Sequence, residues 1–231
     1  MILNVVAAAA MLIASVAVLR MTQRSSAPAP KSAEQSRRAS TPTVPHQPLR
    51  LDGAEVVGLP DSPLVIVEFS DFECPFCKQF AIRSLPVLRK SLIESGKVRL
   101  AFRQFPLPRH PAAMPAAVIA KCAGMRGMFW QVHDRFFALK TAKDAADFKT
   151  AALTAGVDDR SLNACETEGA RRLVDADIAE GRRLGVVATP SFLFARSNPD
   201  GTITGVRWVV GSVPARLVED LVESLLPHGA K

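Results

Sequence analysis

Apolar and polar positions repeat along the chain with two periods, and each period predicts one kind of element. Residues 64–69 form a short apolar run rich in β-branched side chains, and residues 98–105 alternate apolar with polar side chains, so both predict strands. Between them, apolar residues recur at helical spacing over residues 75–94, where Pro86 should kink or split the helix. A strand, a helix and a strand in this order predict a βαβ unit with a right-handed crossover.

The pattern then changes to a block of helices followed by a hairpin and a last helix. Five helices are expected, over residues 111–123, 127–139, 145–154, 159–167 and 170–184. Residues 191–196 and 202–210 predict two strands of a hairpin, because the turn-forming sequence SNPDG joins them. Pro214 opens an amphipathic helix. The order βαβ, helical block, ββα predicts an α/β fold.

The first fifty residues differ from the rest in composition. Residues 2–19 are uncharged and apolar, and as a helix of about 27 Å they are just long enough to cross a bilayer. Two interpretations stay open for residues 1–20: a signal peptide with a small-x-small cleavage site, and an uncleaved transmembrane anchor, which we favour. Residues 21–50 hold five Pro and five Ser, which predicts a disordered linker. The globular domain is expected over residues 51–231.

Charge argues against a nucleic-acid-binding function. The formal net charge is +7, but residues 1–49 contribute +4 of it, so the excess lies in the tail and not on a folded basic face. Arg20 and Arg24 follow the apolar run, which under the positive-inside rule would leave the domain in the cytoplasm. That orientation conflicts with the chemistry that the cysteines predict.

The chemistry is concentrated in Cys74-Pro75-Phe76-Cys77, at the junction between a predicted strand and a predicted helix. A thiolate at a helix N-terminus faces free backbone N–H groups and the positive end of the helix dipole, which lowers its pKa. Pro75 suits the first helical turn. Cys74 is therefore the expected attacking or attacked sulfur, and Cys77 the one that closes a redox-active disulfide with it.

The other two cysteines, Cys122 and Cys165, lie in the helical block. They stand 43 positions apart without a close Cys or His partner, which argues against a zinc site, and we expect neither a metal nor another cofactor. Two alternatives stay open, a pair of buried free thiols and a structural disulfide. We favour the disulfide, because an exported protein can keep one.

The stretch VIVEFSDFECPFC, residues 65–77, resembles the active-site region of the DsbA-like branch of the thioredoxin superfamily. The further matches are Phe105-Pro106-Leu107, His110, Cys122, Met128-Phe129-Trp130, His133-Asp134 and the sequence GVVATPSFLF at residues 185–194. The resemblance covers about residues 53–226. It implies a thioredoxin fold with an inserted helical domain of about 75 residues, at about 110–185.

The resemblance also implies roles for single residues. Pro190 matches the cis-proline beside the active site, and the backbone of Thr189 would pair with an extended substrate peptide. Glu68 matches a buried acid that exchanges a proton with Cys77, although an exposed strand-end glutamate is the alternative. His110 and His133 are interpreted as structural residues.

One departure from the family concerns the dipeptide between the cysteines. Strongly oxidising relatives carry Pro-His, whereas this chain carries Pro-Phe. Phenylalanine cannot hydrogen-bond a thiolate, so we expect a less stabilised thiolate and a less oxidising disulfide. This leaves the direction of electron flow open.

Together these features imply an enzyme, a periplasmic or otherwise extracytoplasmic protein disulfide oxidoreductase. It would introduce disulfides into exported proteins with free thiols and be reoxidised by a membrane quinone-linked partner. Residues 2–19, if uncleaved, would hold it at the inner membrane. The alternatives are a reductase or isomerase with the same chemistry, a tethered chaperone-like peptide-binding module, and a copper chaperone, whose soft Cu(I) ion suits thiolates.

Overall fold

The computed structural model describes residues 42–141 and 144–226. The predicted signal peptide or anchor over residues 1–20 and most of the predicted linker lie outside the described residues. Within the two described ranges, no helix combines the length and the apolar character needed to cross a membrane.

A five-stranded mixed sheet forms the centre of the domain, in the order β1-β3-β2-β4-β5. Its strands are β1 (Glu55–Val57), β2 (Leu64–Ser70), β3 (Val98–Gln104), β4 (Ser191–Ser197) and β5 (Ile203–Val210). β2 pairs with β3 in parallel and with β4 in antiparallel orientation. Every residue of the central strand β2 is buried, as expected for a continuous apolar run covered on both faces.

Eight α-helices accompany the sheet in the described part of the chain. They are α1 (Pro75–Arg83), α2 (Leu85–Leu88), α3 (Ala113–Gly124), α4 (Phe129–Ala138), α5 (Ala145–Thr154), α6 (Asp159–Glu168), α7 (Ala170–Arg183) and α8 (Ala215–Leu225). The predicted break near Pro86 is present, because α1 ends at Arg83 and α2 begins at Leu85. A π-helical turn, Arg89–Ile93, follows α2.

Alternate residues of β2 face two different cores. Val65, Val67 and Phe69 pack in the cluster that contains Val174 of α7. Leu64 and Ile66 pack instead in a second cluster, which contains residues of α2 and α8. The inserted helices α3–α6 contribute most of a third cluster, which also contains Phe102 of β3 and the cysteines Cys74 and Cys77. The observed order contains the predicted βαβ, helical block and ββα, but it begins with the short strand β1, which was not predicted and pairs with β3.

Buried charges join the insertion to the sheet. Arg103 Nη1 of β3 lies 2.7 Å from Asp177 Oδ1 of α7, and Lys121 Nζ of α3 lies 3.2 Å from Glu55 Oε1 and 3.3 Å from Asp177 Oδ2. Lys121 is 1% exposed. Its charge is compensated by these two carboxylates, as a buried ammonium requires.

Residues 42–50 pack on the domain, which corrects the predicted linker boundary at residue 50. Leu49 is buried and exchanges two backbone hydrogen bonds of 2.8 Å with Ile203. The indole Nε1 of Trp208 donates to the Thr43 carbonyl at 3.1 Å. Residues 42–50 therefore pack along the β5 side of the sheet, because this edge offers backbone partners and an apolar surface.

Candidate active site

The two cysteines of the CPFC sequence lie at the end of the sheet where the central strands β2 and β3 finish. β2 ends at Ser70, where it pairs with Gln104 at the end of β3, and the chain then enters α1. Cys74 is the N-cap residue of α1, with an extended backbone (φ −71°, ψ 122°). Cys74 is 1% exposed and Cys77, one turn further, is 0% exposed. Both are free thiols in this structure.

The surroundings of Cys74 stabilise its thiolate. They lower its pKa from an ordinary 9.0 to about 5. The largest cause is a hydrogen bond from the Cys77 side chain, and burial opposes it. The backbone N–H groups of Cys77 and Phe76 add to the stabilisation. Cys74 is therefore a thiolate at neutral pH even though no histidine lies between the two cysteines.

Cys77 has the opposite character. Burial, the largest cause, raises its pKa well above 9.0, and the neighbouring Cys74 and Glu68 raise it further. The two sulfurs therefore differ in protonation state, because Cys74 is ionised and Cys77 is protonated.

The loop before β4 brings Thr189 and Pro190 to the cysteines. Ser191, the first residue of β4, pairs with Phe69 near the end of β2, so the loop that precedes Ser191 lies at the active-site edge. The Thr189–Pro190 peptide bond is cis. Cys74 Sγ lies 3.3 Å from the Thr189 carbonyl oxygen, a contact between residues 115 positions apart.

Glu68 lies beneath this site. It is 0% exposed, so the alternative of an exposed strand-end glutamate is wrong. Neither carboxyl oxygen has a hydrogen-bond partner among the described residues. Burial raises the Glu68 pKa from 4.5 to about 7, and the influence of its charge on Cys77 indicates that the two groups are close. A carboxyl with this pKa can release or accept a proton near neutrality.

Asp71 is a residue of the site that was not predicted from the sequence. This buried carboxylate accepts the Glu73 N–H through Oδ1 at 2.8 Å and the Leu107 N–H through Oδ2 at 2.8 Å. His110 Nδ1 lies 2.7 Å from the same Oδ2. An aspartate between a buried strand and a cysteine turn was the available signal, since Asp side chains often bond the backbone two residues further on.

His133 lies on α4 of the helical insertion, and its ring centroid is 6.1 Å from that of Phe72, in the segment before α1. It is 0% exposed and packs among aromatic rings that include Phe102 and Phe137. Its Nδ1 lies 2.8 Å from Asp134 Oδ1. Burial, the largest cause, lowers its pKa below 6.5.

Cys122 and Cys165 are bonded to each other in this structure. Their Cα atoms are 5.6 Å apart, and the bond joins α3 to α6 inside the core of the insertion. Among residues 42–141 and 144–226, no group of three or more His, Cys, Asp or Glu side chains is placed to hold a metal ion.

Comparison with known proteins identifies relatives of this domain. A family model described as thioredoxin matches residues 51–205. The chain is 34% identical over 149 residues to Na(+)/H(+) antiporter NhaA 3 of Salinispora tropica, a match that covers 63% of the chain and 22% of the antiporter. It is 30% identical over 126 residues to "Probable disulfide bond formation protein D" of Bacillus cereus, covering 54% of the chain and 58% of that protein.

A solved structure supports the fold. The crystal structure of Wolbachia pipientis alpha-DsbA1 matches with a TM-score of 0.67 and 18% identity, covering 77% of this chain and 92% of that one. The predicted thioredoxin fold with a DsbA-like helical insertion is thereby confirmed. The chain spans only about a fifth of the antiporter relatives it matches.

Proposed function

The chain belongs to the thioredoxin family, and we propose that it is an extracytoplasmic protein disulfide oxidoreductase that uses Cys74 and Cys77 to oxidise thiols of exported proteins. The observation that carries this proposal is the difference between the two sulfurs. The Cys74 pKa is about 5, whereas the Cys77 pKa lies well above 9.0.

The reaction follows from that difference. In the oxidised enzyme, a client thiolate attacks Cys74 Sγ, a new client–Cys74 disulfide forms, and the Cys74–Cys77 bond breaks. The electron pair leaves on Cys77, which takes a proton, and we propose that Glu68 supplies it, a role that its burial and its raised pKa support. A second client thiolate then attacks the client sulfur and releases Cys74 as a thiolate. The client loses two electrons and the cysteine pair gains them.

The stabilised thiolate favours the oxidising direction. At pH 7 the ionised fraction of a thiol with a pKa of about 5 is roughly 100 times that of a thiol with a pKa of 9.0. This difference stabilises the reduced protein by ~3 kcal/mol. For a two-electron couple this raises the reduction potential by ~60 mV. Thioredoxin, with a cysteine pKa of ~7, has a potential of about −270 mV, and DsbA, with ~3.5, has about −120 mV. Linear interpolation between these two proteins, at a cysteine pKa of about 5, gives a reduction potential of roughly −180 mV for this chain.

The surface around Cys74 suits unfolded clients. Phe76 is 57% exposed and Val187 is 61% exposed, one on each of the two segments that meet at Cys74. The backbone of Thr189, beside Cys74, can pair with an extended client segment.

We further propose that residues 1–20 direct export or anchor the chain, and that a membrane quinone-linked protein reoxidises the cysteines. Sodium–proton exchange is not proposed, because the match covers 22% of that antiporter.

The test is oxidation of a reduced, unfolded model protein by the oxidised chain. Cys74→Ala should abolish disulfide transfer. The matched control is the double variant Cys122→Ala with Cys165→Ala, which should transfer disulfides at the rate of the parent chain because it leaves the CPFC turn intact. Transfer by Cys74→Ala at the parent rate would overturn the proposed function.

A further inference from the structure

We propose that Asp71, held by His110, is a positioning residue that shapes the turn presenting Cys74. The inference rests on the proposed function and deepens it. Asp71 is assigned no contact with the reacting sulfurs. It acts through the backbone of the three residues that lead into α1.

The sheet topology explains why the groups around Asp71 meet. β2 and β3 are parallel neighbours, so their carboxyl ends lie at the same edge, with Ser70 opposite Gln104. Beyond that edge, the Phe105 N–H donates to the Ser70 carbonyl at 2.8 Å and continues the ladder by one bond. Asp71 thus stands beside the segment that leads from β3 into the helical insertion.

Asp71 is saturated with hydrogen bonds from two segments. Its side chain is 0% exposed and accepts from the Glu73 and Leu107 backbones, while His110 Nδ1 lies 2.7 Å away. A buried carboxylate is costly unless such donors surround it. Loss of the carboxylate would leave the Glu73 and Leu107 N–H groups without their acceptor, which is also costly in a buried place.

The turn that these bonds define ends at Cys74. The Cys74 N–H donates to the Asp71 carbonyl at 3.1 Å. Asp71 therefore accepts hydrogen bonds from Glu73 and from Cys74, the two residues directly before α1. The extended backbone of Cys74 places its sulfur where the Cys77 thiol and the first N–H groups of α1 can stabilise it. A turn of different shape would move the sulfur out of this arrangement.

A positioning role and a direct electrostatic role predict opposite signs. If the negative charge of Asp71 acted on Cys74 directly, Asp71→Asn would lower the Cys74 pKa, because a nearby anion disfavours a thiolate. If Asp71 acts by positioning, the same variant raises the Cys74 pKa. An asparagine has one acceptor oxygen where the aspartate has two, so it cannot accept from Leu107 and His110 on one side and from Glu73 on the other, and the turn relaxes.

We expect Asp71→Asn to raise the Cys74 pKa by about one unit, comparable to the loss of one hydrogen bond to the thiolate. The pKa would be measured on the full reduced chain from the pH dependence of alkylation. The matched control is Asp134→Asn, which alters the other His–Asp contact, that with His133, and should leave the Cys74 pKa unchanged. Far-ultraviolet circular dichroism would show that each variant is folded.

His110 provides the second, independent arm. His110→Asn keeps an N–H donor near the position of Nδ1 and should leave the Cys74 pKa near that of the parent chain, whereas His110→Leu removes the donor and should raise it. This pair also decides the matter if Asp71→Asn does not fold. A Cys74 pKa that is unchanged or lowered in folded Asp71→Asn, or equal in the two His110 variants, would overturn the inference. Those results would leave the proposed function standing, since that function fails only if Cys74→Ala still transfers disulfides.

Discussion

Removing the thiol of Cys77 should raise the pKa of Cys74, because the Cys77 side chain is the largest cause of its low value. A hydrogen bond to a charged group contributes about 1.5–3 kcal/mol, and one pKa unit corresponds to about 1.4 kcal/mol. Cys77→Ala should therefore move the Cys74 pKa from about 5 to roughly 6–7. At pH 5 the thiolate fraction would fall roughly 5- to 50-fold.

The matched comparison is Cys77→Ser, which keeps a hydroxyl donor at the same place. Rates of alkylation by a small neutral reagent, measured from pH 3 to pH 10, give the Cys74 pKa of each variant as the midpoint of the profile. The serine variant should stay near the low value and the alanine variant should not. If Cys77→Ala also titrated near pH 5, the Cys77 hydrogen bond would be irrelevant, and the N–H groups of α1 with Thr189 would have to supply the stabilisation.

Three further predictions concern stability. Burial raises the Glu68 pKa from 4.5 to about 7, so the contribution of this group to the free energy of unfolding is fully present below pH 4.5 and is lost, by ~3 kcal/mol, as the pH rises through 7. Glu68→Gln should therefore remove this contribution to the pH dependence of urea unfolding between pH 5 and pH 8. Burial lowers the His133 pKa below 6.5, so the contribution of this group is fully present above pH 6.5 and is lost, by at most about 1.4 kcal/mol per pH unit, as the pH drops below it. His133→Gln should remove this contribution from acid unfolding curves. The Cys122→Ala, Cys165→Ala double variant opens a loop of 43 residues and should lower the free energy of unfolding by ~4 kcal/mol, and an unchanged urea midpoint would contradict this.

Elements with a strong local signal were predictable from the sequence. The apolar run of β2, the break near Pro86 and the hairpin turn between β4 and β5 all depend on neighbouring residues, and each lies where the pattern placed it. The CPFC turn was predictable for the same reason, since a strand followed by a cysteine at a helix start is a local arrangement.

Features that depend on distant partners were not predictable. Residues 42–50 have a linker composition, and it is partners far along the chain, such as Ile203 and Trp208, that hold them on the domain. In the sequence, Asp71 looks like an ordinary turn residue, because its partners Leu107 and His110 lie 36 and 39 positions away along the chain. A lowered Cys74 pKa was expected from the helix N-terminus, but its largest cause, the Cys77 side chain, required the structure, since the Pro-Phe dipeptide indicated a less stabilised thiolate.

The reduction potential of the Cys74–Cys77 pair tests the proposed direction of electron flow most directly. It would be measured by equilibrating the full chain in glutathione buffers and quantifying the free Cys74 thiol. We predict roughly −180 mV, between the values of about −120 mV for DsbA and about −270 mV for thioredoxin. A potential near −270 mV would contradict the proposed oxidation of clients and identify a reductant.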